Sequence, residues 1–235
     1  MMPGHGTREN AALEGAVRRR IVQVFLQLFF LTALLFLCAG DLRWSWAWIY
    51  LASSLAVLAV NVFVLSPEVI AERGAKKANV KRWDRAIAWI ALIPSLGIPT
   101  VSGLDHRFGW TTALPPAVNV VGLICVILGQ FLFTWAMTAN RFFSTLVRIQ
   151  VDRDHRVATG GPYRYVRHPG YFGYIISNMG TPLALGSTWA LVGSLFLAAL
   201  IVVRTSLEDR TLRRELAGYA GYAERVRSRL IPGVW

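Results

Sequence analysis

Cysteine is almost missing from this 235-residue chain. Cys38 and Cys125 are the only two, and each sits inside an apolar run. Neither has a cysteine or histidine neighbour at metal-ligand spacing, so they read as buried thiols. Histidine is scarce too. His155 and His168 lie far apart for a helix-borne zinc pair, and no acidic third ligand stands near them, so no metal site is expected. The Gly160-Gly161 pair lacks the G-x-G-x-x-G spacing after a strand, which removes the case for a Rossmann nucleotide site. No A-x-A cleavage signal follows the Arg18–Arg20 cluster and the apolar run behind it. That run is therefore read as an uncleaved helix and not a signal peptide. Acid is the last shortage. Asp and Glu number 13 against 25 Lys and Arg, a net charge of +12. In a soluble protein that balance points to nucleic acid, but the positions of these charges have another explanation.

What the chain has in abundance is apolar sequence, 54% of all residues. Runs near twenty residues indicate membrane-spanning helices. The expected spans are Ile21–Ala39, Trp44–Leu65, Ala86–Leu104, Pro116–Ala139, Tyr171–Leu185 and Thr188–Val203. Trp44, Trp46, Trp48 and Tyr50 anchor the second at an interface. Pro94 and Pro99 fall within the third, where kinks are expected. The last two, joined at Gly186 and Ser187, read as a tight helical hairpin. The fold class is thus all-α, a polytopic bundle of six spans. The polar residues 1–17 read as disordered at the tip, and 66–85 as a polar loop. The chain divides into a tail (1–20), four spans (21–139) and a region (140–235) that carries the polar motifs.

Lys and Arg partition unevenly between alternate connections. The tail, the 66–85 loop, the 140–170 region and the segment from Arg204 hold 23. The other turns hold only Arg43 and Arg107. The positive-inside rule then puts both termini in the cytoplasm, and an inner bacterial membrane is the expected location. The charge is mostly a topology signal, with contact to anionic lipid as a second use. Beyond the last span, Leu212, Leu216, Tyr219, Ala223, Val226 and Leu230 form an amphipathic helical stripe. It either lies on lipid or packs under the 140–170 region.

The polar stretch Asp154–Tyr171, DHRVATGGPYRYVRHPGY, interrupts this apolar background. Its glycines and prolines break any helix, leaving a basic, aromatic loop between hydrophobic segments. Loops of that kind on a rigid scaffold often carry function, although a solvated topology loop has the same residue types. His155 and His168 are placed either to donate to a carboxylate or adenine, or to cap helices. Arg204 and Glu208 stand one helical turn apart where the last span leaves the membrane, as a site or as a structural ion pair. The reaction itself does not follow from spacing.

Four segments in order carry a resemblance: NRFFSTLVRIQ, then DHRVATGGPYRYVRHPGYFGY, then E-D-x-x-L at Glu208–Leu212, then GYAGYAERVRSRLIPGVW. Together, over Asn140–Trp235, they resemble the isoprenylcysteine carboxyl methyltransferase family, with phospholipid N-methyltransferases as relatives. The resemblance implies a membrane-embedded methyltransferase using S-adenosyl-L-methionine on a lipidated or lipid-like acceptor. Carboxyl O-methylation of a prenylcysteine-type substrate is the leading reading. By position, His155, Val157, Gly161, Tyr163, Arg167, His168, Pro169 and Tyr171 would line the cofactor pocket. Glu208 and Leu212 would close it, and Arg204 would sit near the transferred methyl. Arg167 is a candidate partner for the methionine carboxylate. A carboxylate nucleophile needs no general base, whereas an amine would use His168 or Glu208. The family often has Glu-Glu where this chain has Glu208-Asp209, which leaves Asp209 without a role. Two other readings stand beside this one. An NADPH-dependent sterol or enone reductase on a similar scaffold carries Asn at the position of Gly170. A non-enzymatic transporter subunit would need more polar residues deep in its spans. Neither metal nor nucleic acid is expected as a partner.

Overall fold

The computed structural model describes residues 5–75, 77 and 79–235 of the chain. It contains α1 (His5–Ala39), α2 (Ser45–Val64), α3 (Pro67–Gly74), α4 (Arg82–Phe108), α5 (Pro116–Thr138), α6 (Pro169–Ala184), α7 (Ala190–Glu215) and α8 (Tyr219–Arg225). Two short 3₁₀ turns, Val151–Arg153 and Gly161–Arg164, punctuate the segment between α5 and α6. Among the described residues there is no strand. Five helices are long and apolar enough to cross a bilayer: α1 over Asn10–Ala39, α2, α4, α5 and α7. The chain is a multi-pass membrane protein. The expected sixth span is a helix of 16 residues, α6. At about 1.5 Å per residue it is shorter than the hydrocarbon layer.

That short helix is held by close packing. Gly129 on α5 and Gly173 on α6 face each other, and a Cβ added to either would meet the other's carbonyl at 2.5 Å. A Cβ on Gly180 would meet the Gly122 carbonyl at 2.6 Å, and one on Gly122 would strike the backbone of Ala184. The two pairs are seven residues apart on each helix. They form a small-residue seam that lets backbones touch where no hydrophobic drive between helices exists. Gly186, at φ +72°, then turns the chain from α6 into α7.

Three turns meet at one end of the bundle. Asp105 at the foot of α4 accepts from Thr111 N at 2.6 Å, Thr111 Oγ1 at 2.6 Å and Ser187 Oγ at 2.5 Å. His106 lies 3.2 Å from Asp41 and stacks on Trp44. The opposite end carries α3, the 140–168 segment and the C-terminal tail.

Three expectations change here. The polar N-terminal segment is helical from His5, residues 1–4 lying outside the described residues. The 66–85 loop contains α3, whose first turn is capped by Ser66. The C-terminal stripe is buried as expected for packing under 140–170, but it is not one helix. Helix α7 stops at Glu215, Gly218 takes φ +79°, and α8 restarts at Tyr219. The break lets Leu216, Tyr219, Tyr222 and Ala223 fold against Tyr163 and Ala136.

Candidate active site

The 140–168 segment has little regular structure, so its backbone and side chains are fixed by other elements. The C-terminal tail runs beside it: Arg167 N donates to Ser228 O at 3.0 Å and His168 N to Arg229 O at 2.8 Å. On the other flank, Val147 N donates to Asp84 Oδ2 at 2.7 Å. Gln150 Nε2 donates to Phe142 O at 2.6 Å inside the loop. Between these braces lies a cleft of about 800 Å³, its open mouth included.

Most of the residues singled out from the sequence converge on it. His155, Val157, Tyr163, Arg167, His168, Tyr171, Glu208 and Leu212 all line the cleft. Three do not. Gly161 is turned away at φ +54°, with the side chains of Ala139 and Trp135 where its Cβ would go. Pro169 is buried and opens α6, where a missing N–H costs nothing. Arg204 stands behind Tyr171, its guanidinium 5.2 Å from that ring.

The acid pair at the end of α7 divides its labour. Asp209 is 1% exposed and fully engaged. Its carboxylate accepts from Arg167 at 2.6 and 3.1 Å, Arg213 at 3.2 Å, Arg229 at 3.1 Å and Tyr219 Oη at 3.0 Å. It is the buried anion around which the loop and the tail assemble. Glu208, one residue earlier, has a single partner among the described residues: Tyr171 Oη donates to it at 2.5 Å. Its remaining lone pairs are free toward the cleft.

Arg167 belongs to the Asp209 assembly. Besides the carboxylate it donates to the carbonyls of Val226 and Arg227 at 2.6 and 2.7 Å. Four of its five N–H groups are therefore committed, leaving little to hold a ligand carboxylate. His168 Nε2 lies 3.3 Å from Tyr219 Oη, and its ring is nearly parallel to that of Tyr171.

His155 is the most available donor. Gln150 N donates to its Nδ1 at 3.3 Å, so the neutral ring carries its proton on Nε2. Burial first, and then the nearby Arg148 and Arg153, lower its pKa to about 4. It stays uncharged at neutral pH. Burial likewise pushes the Tyr163 and Tyr222 hydroxyls up, so both remain protonated donors. Tyr222 Oη uses its proton on Tyr163 O at 2.7 Å.

Arg204 is held from behind. Its Nε and Nη2 donate to Asp84 at 2.7 and 3.1 Å, and Nη2 also to Thr145 O at 2.9 Å. Both N–H groups of Nη1 lack a partner among the described residues. There is no Arg204–Glu208 ion pair among the described residues; the partner is Asp84, 120 residues away. Sequence reasoning missed Asp84 because a lone acid at the head of an apolar span looks like an interfacial charge. It also missed Asn140, Phe143, Tyr219 and Tyr222 on the cleft wall. Asn140 and Phe143 stand inside a quoted motif, and Tyr219 was counted as apolar stripe. Among the described residues no cluster of His, Cys, Asp and Glu would hold a metal ion.

The fold and this cleft define a multi-pass helical membrane protein with a polar cleft at one end of the bundle. Residues 121–214, which include most of that site, match the model of the isoprenylcysteine carboxyl methyltransferase (ICMT) family. Over this region the chain is similar to that family. A probable protein-S-isoprenylcysteine O-methyltransferase of Oryza sativa subsp. indica is 36% identical over 116 residues, 48% of this chain and 61% of the relative. A protein-S-isoprenylcysteine O-methyltransferase of Dictyostelium discoideum is 38% identical over 74 residues, 31% of each chain. Its counterpart in Schizosaccharomyces pombe is 41% identical over 70 residues, 29% of each. The matched stretch thus spans less than two thirds of these relatives' length.

Proposed function

We propose that this protein transfers a methyl group from S-adenosyl-L-methionine to the carboxylate of a prenylcysteine-type acceptor at the membrane surface. The observation that carries the reading is the split between the two acids. Asp209 is consumed by structure, while Glu208 is presented to the cleft with spare acceptor capacity. The residues fit the cofactor. Glu208 would accept its hydroxyl or ammonium donors, and His155 Nε2–H would donate to its carboxylate. Tyr163, Leu212 and Tyr219 supply apolar and aromatic walls. When bound, the cofactor supplies a methyl already activated on a sulfonium, so the protein has mainly to align and to exclude water. A carboxylate nucleophile needs no proton removed. Arg204 Nη1 would orient that carboxylate, with Asp84 fixing the fork. The 140–235 region is the catalytic part in this reading, resting on the spans before it. The end that bears the site and most Lys and Arg faces the cytoplasm, with both termini.

The test is calorimetry of the purified protein with S-adenosylhomocysteine and with NADPH, beside methyl transfer to N-acetyl-S-farnesylcysteine. Binding of S-adenosylhomocysteine, weakened about tenfold or more in Glu208→Gln with an unchanged melting temperature, is expected. Binding of NADPH alone would overturn the reading in favour of a reductase.

A further inference from the structure

Two arginines stand together outside the lining of the cleft. Arg20 on α1 and Arg73 on α3 line two adjoining cavities, one between α1, α2 and α5 and the other bounded by α6 as well. Packing brings them together: a Cβ on Gly74 would lie 2.9 Å from Arg20 Cβ. Neither guanidinium has a carboxylate or hydrogen-bond partner among the described residues. The acids of α3 do not serve them. Glu72 is taken by Lys77, Arg148 and Arg153, and Glu68 is exposed. Arg204, close by, has its own counterion in Asp84.

Arg73 lies over the rings of Phe133 and Phe143, at 5.2 and 5.4 Å. Phe143 is also a wall of the cleft, which neither arginine lines. Burial and the neighbouring arginines bring Arg73 down to about 10, which leaves it ionised at neutral pH. Two partly buried cations without an anion are unfavourable as they stand. The cavity they face continues along Val24, Phe25, Leu55, Leu58 and Val62, an apolar groove between α1 and α2. Phe25, Leu55 and Val62 are exposed on its rim.

We propose that Arg20 and Arg73 bind the phosphate of an anionic membrane phospholipid whose acyl chain lies in the groove between α1 and α2. A phosphodiester offers each fork the oxygen pair it matches, and the chain covers apolar surface a free anion would leave open. The acceptor's carboxylate is the other membrane anion of this chemistry. The phospholipid is favoured because neither arginine lines the cleft.

The protein in neutral detergent is melted with phosphatidylglycerol, phosphatidylcholine or inorganic phosphate. Phosphatidylglycerol should raise the midpoint by about 4 °C over phosphatidylcholine, and inorganic phosphate should have no effect. The gain should vanish in Arg20→Gln/Arg73→Gln and persist in Arg18→Gln/Arg19→Gln, which removes equal charge from an exposed face of α1. Equal effects of the two lipids in the wild type would overturn the site without any variant. So would a gain that phosphate reproduces, or one that Arg18→Gln/Arg19→Gln abolishes. Displacement of bound phosphatidylglycerol by N-acetyl-S-farnesylcysteine, followed by native mass spectrometry, would reassign the site to the acceptor.

Discussion

At the scale of residues, the site rests on charges whose partners are distant in sequence. Asp84 fixes Arg204 through two hydrogen bonds, and Thr145 O takes a third. A lysine at 204 keeps the charge but loses the planar fork that spans these acceptors. Arg204→Lys is expected to bind S-adenosylhomocysteine almost as the wild type does and to methylate about 10–100-fold more slowly. Asp84→Asn should show the same split, because it frees the fork to rotate. Wild-type turnover in either would show that Arg204 is structural only. His155 gives a pH signature. Its folded pKa is below its unfolded value, so the unfolded chain binds the extra proton first. Its contribution to stability is therefore intact above about pH 6.5 and falls as the pH drops toward 4. Melting temperatures between pH 4.5 and 7.5 should show this slope, and His155→Gln should flatten it. An equal slope in both proteins would assign it to other groups.

Elements set the site through how closely they approach. The seam of α5 and α6 brings backbones into contact at Gly129 and Gly173, and the start of α6 carries His168 and Tyr171 into the cleft. Gly129→Ala has to push the helices apart against a carbonyl, and overpacking of this sort costs about 1–3 kcal/mol. Cofactor binding should fall with it, because α6 moves as a unit. Gly97 on α4 is the control: nothing lies within 4 Å of an added Cβ there. Gly97→Ala should be neutral or stabilising by about 0.5–1 kcal/mol. Thermal melting of both variants in detergent checks the pair. Comparable losses in the two would mean that the seam is not tight. The hairpin and the spans were legible from apolar run lengths. The seam was not, because Gly122, Gly129, Gly173 and Gly180 gain meaning only when two helices are set side by side.

For the whole molecule, the two ends of the bundle differ in chemistry. Arg43, Arg107 and Thr188 lie exposed at one end, and Arg156 at the other. With Cys38 and Cys125 replaced by alanine, a cysteine at 43, 107 or 188 should react with an impermeant maleimide from the face opposite the cytoplasm. A cysteine at 156 should react only from the cytoplasmic face. Reaction of all four from one face would refute the six-crossing arrangement.

The sequence by itself determined the class of fold, since hydrocarbon demands apolar runs of fixed length and helices that satisfy their own backbones. It also determined which polar segments matter: the Asp154–Tyr171 stretch and the acids of α7 stand out against an apolar chain. Tertiary structure alone decided how those residues divide their work. Glu208 and Asp209 are neighbours with nearly the same chemistry. One faces a cleft and the other is enclosed by three arginines, because the tail after Gly218 folds back over Asp209. Arg204 has no sequence neighbour that announces Asp84. That pairing exists because α4 and α7 pack together, and a buried guanidinium requires whatever anion the packing brings within reach.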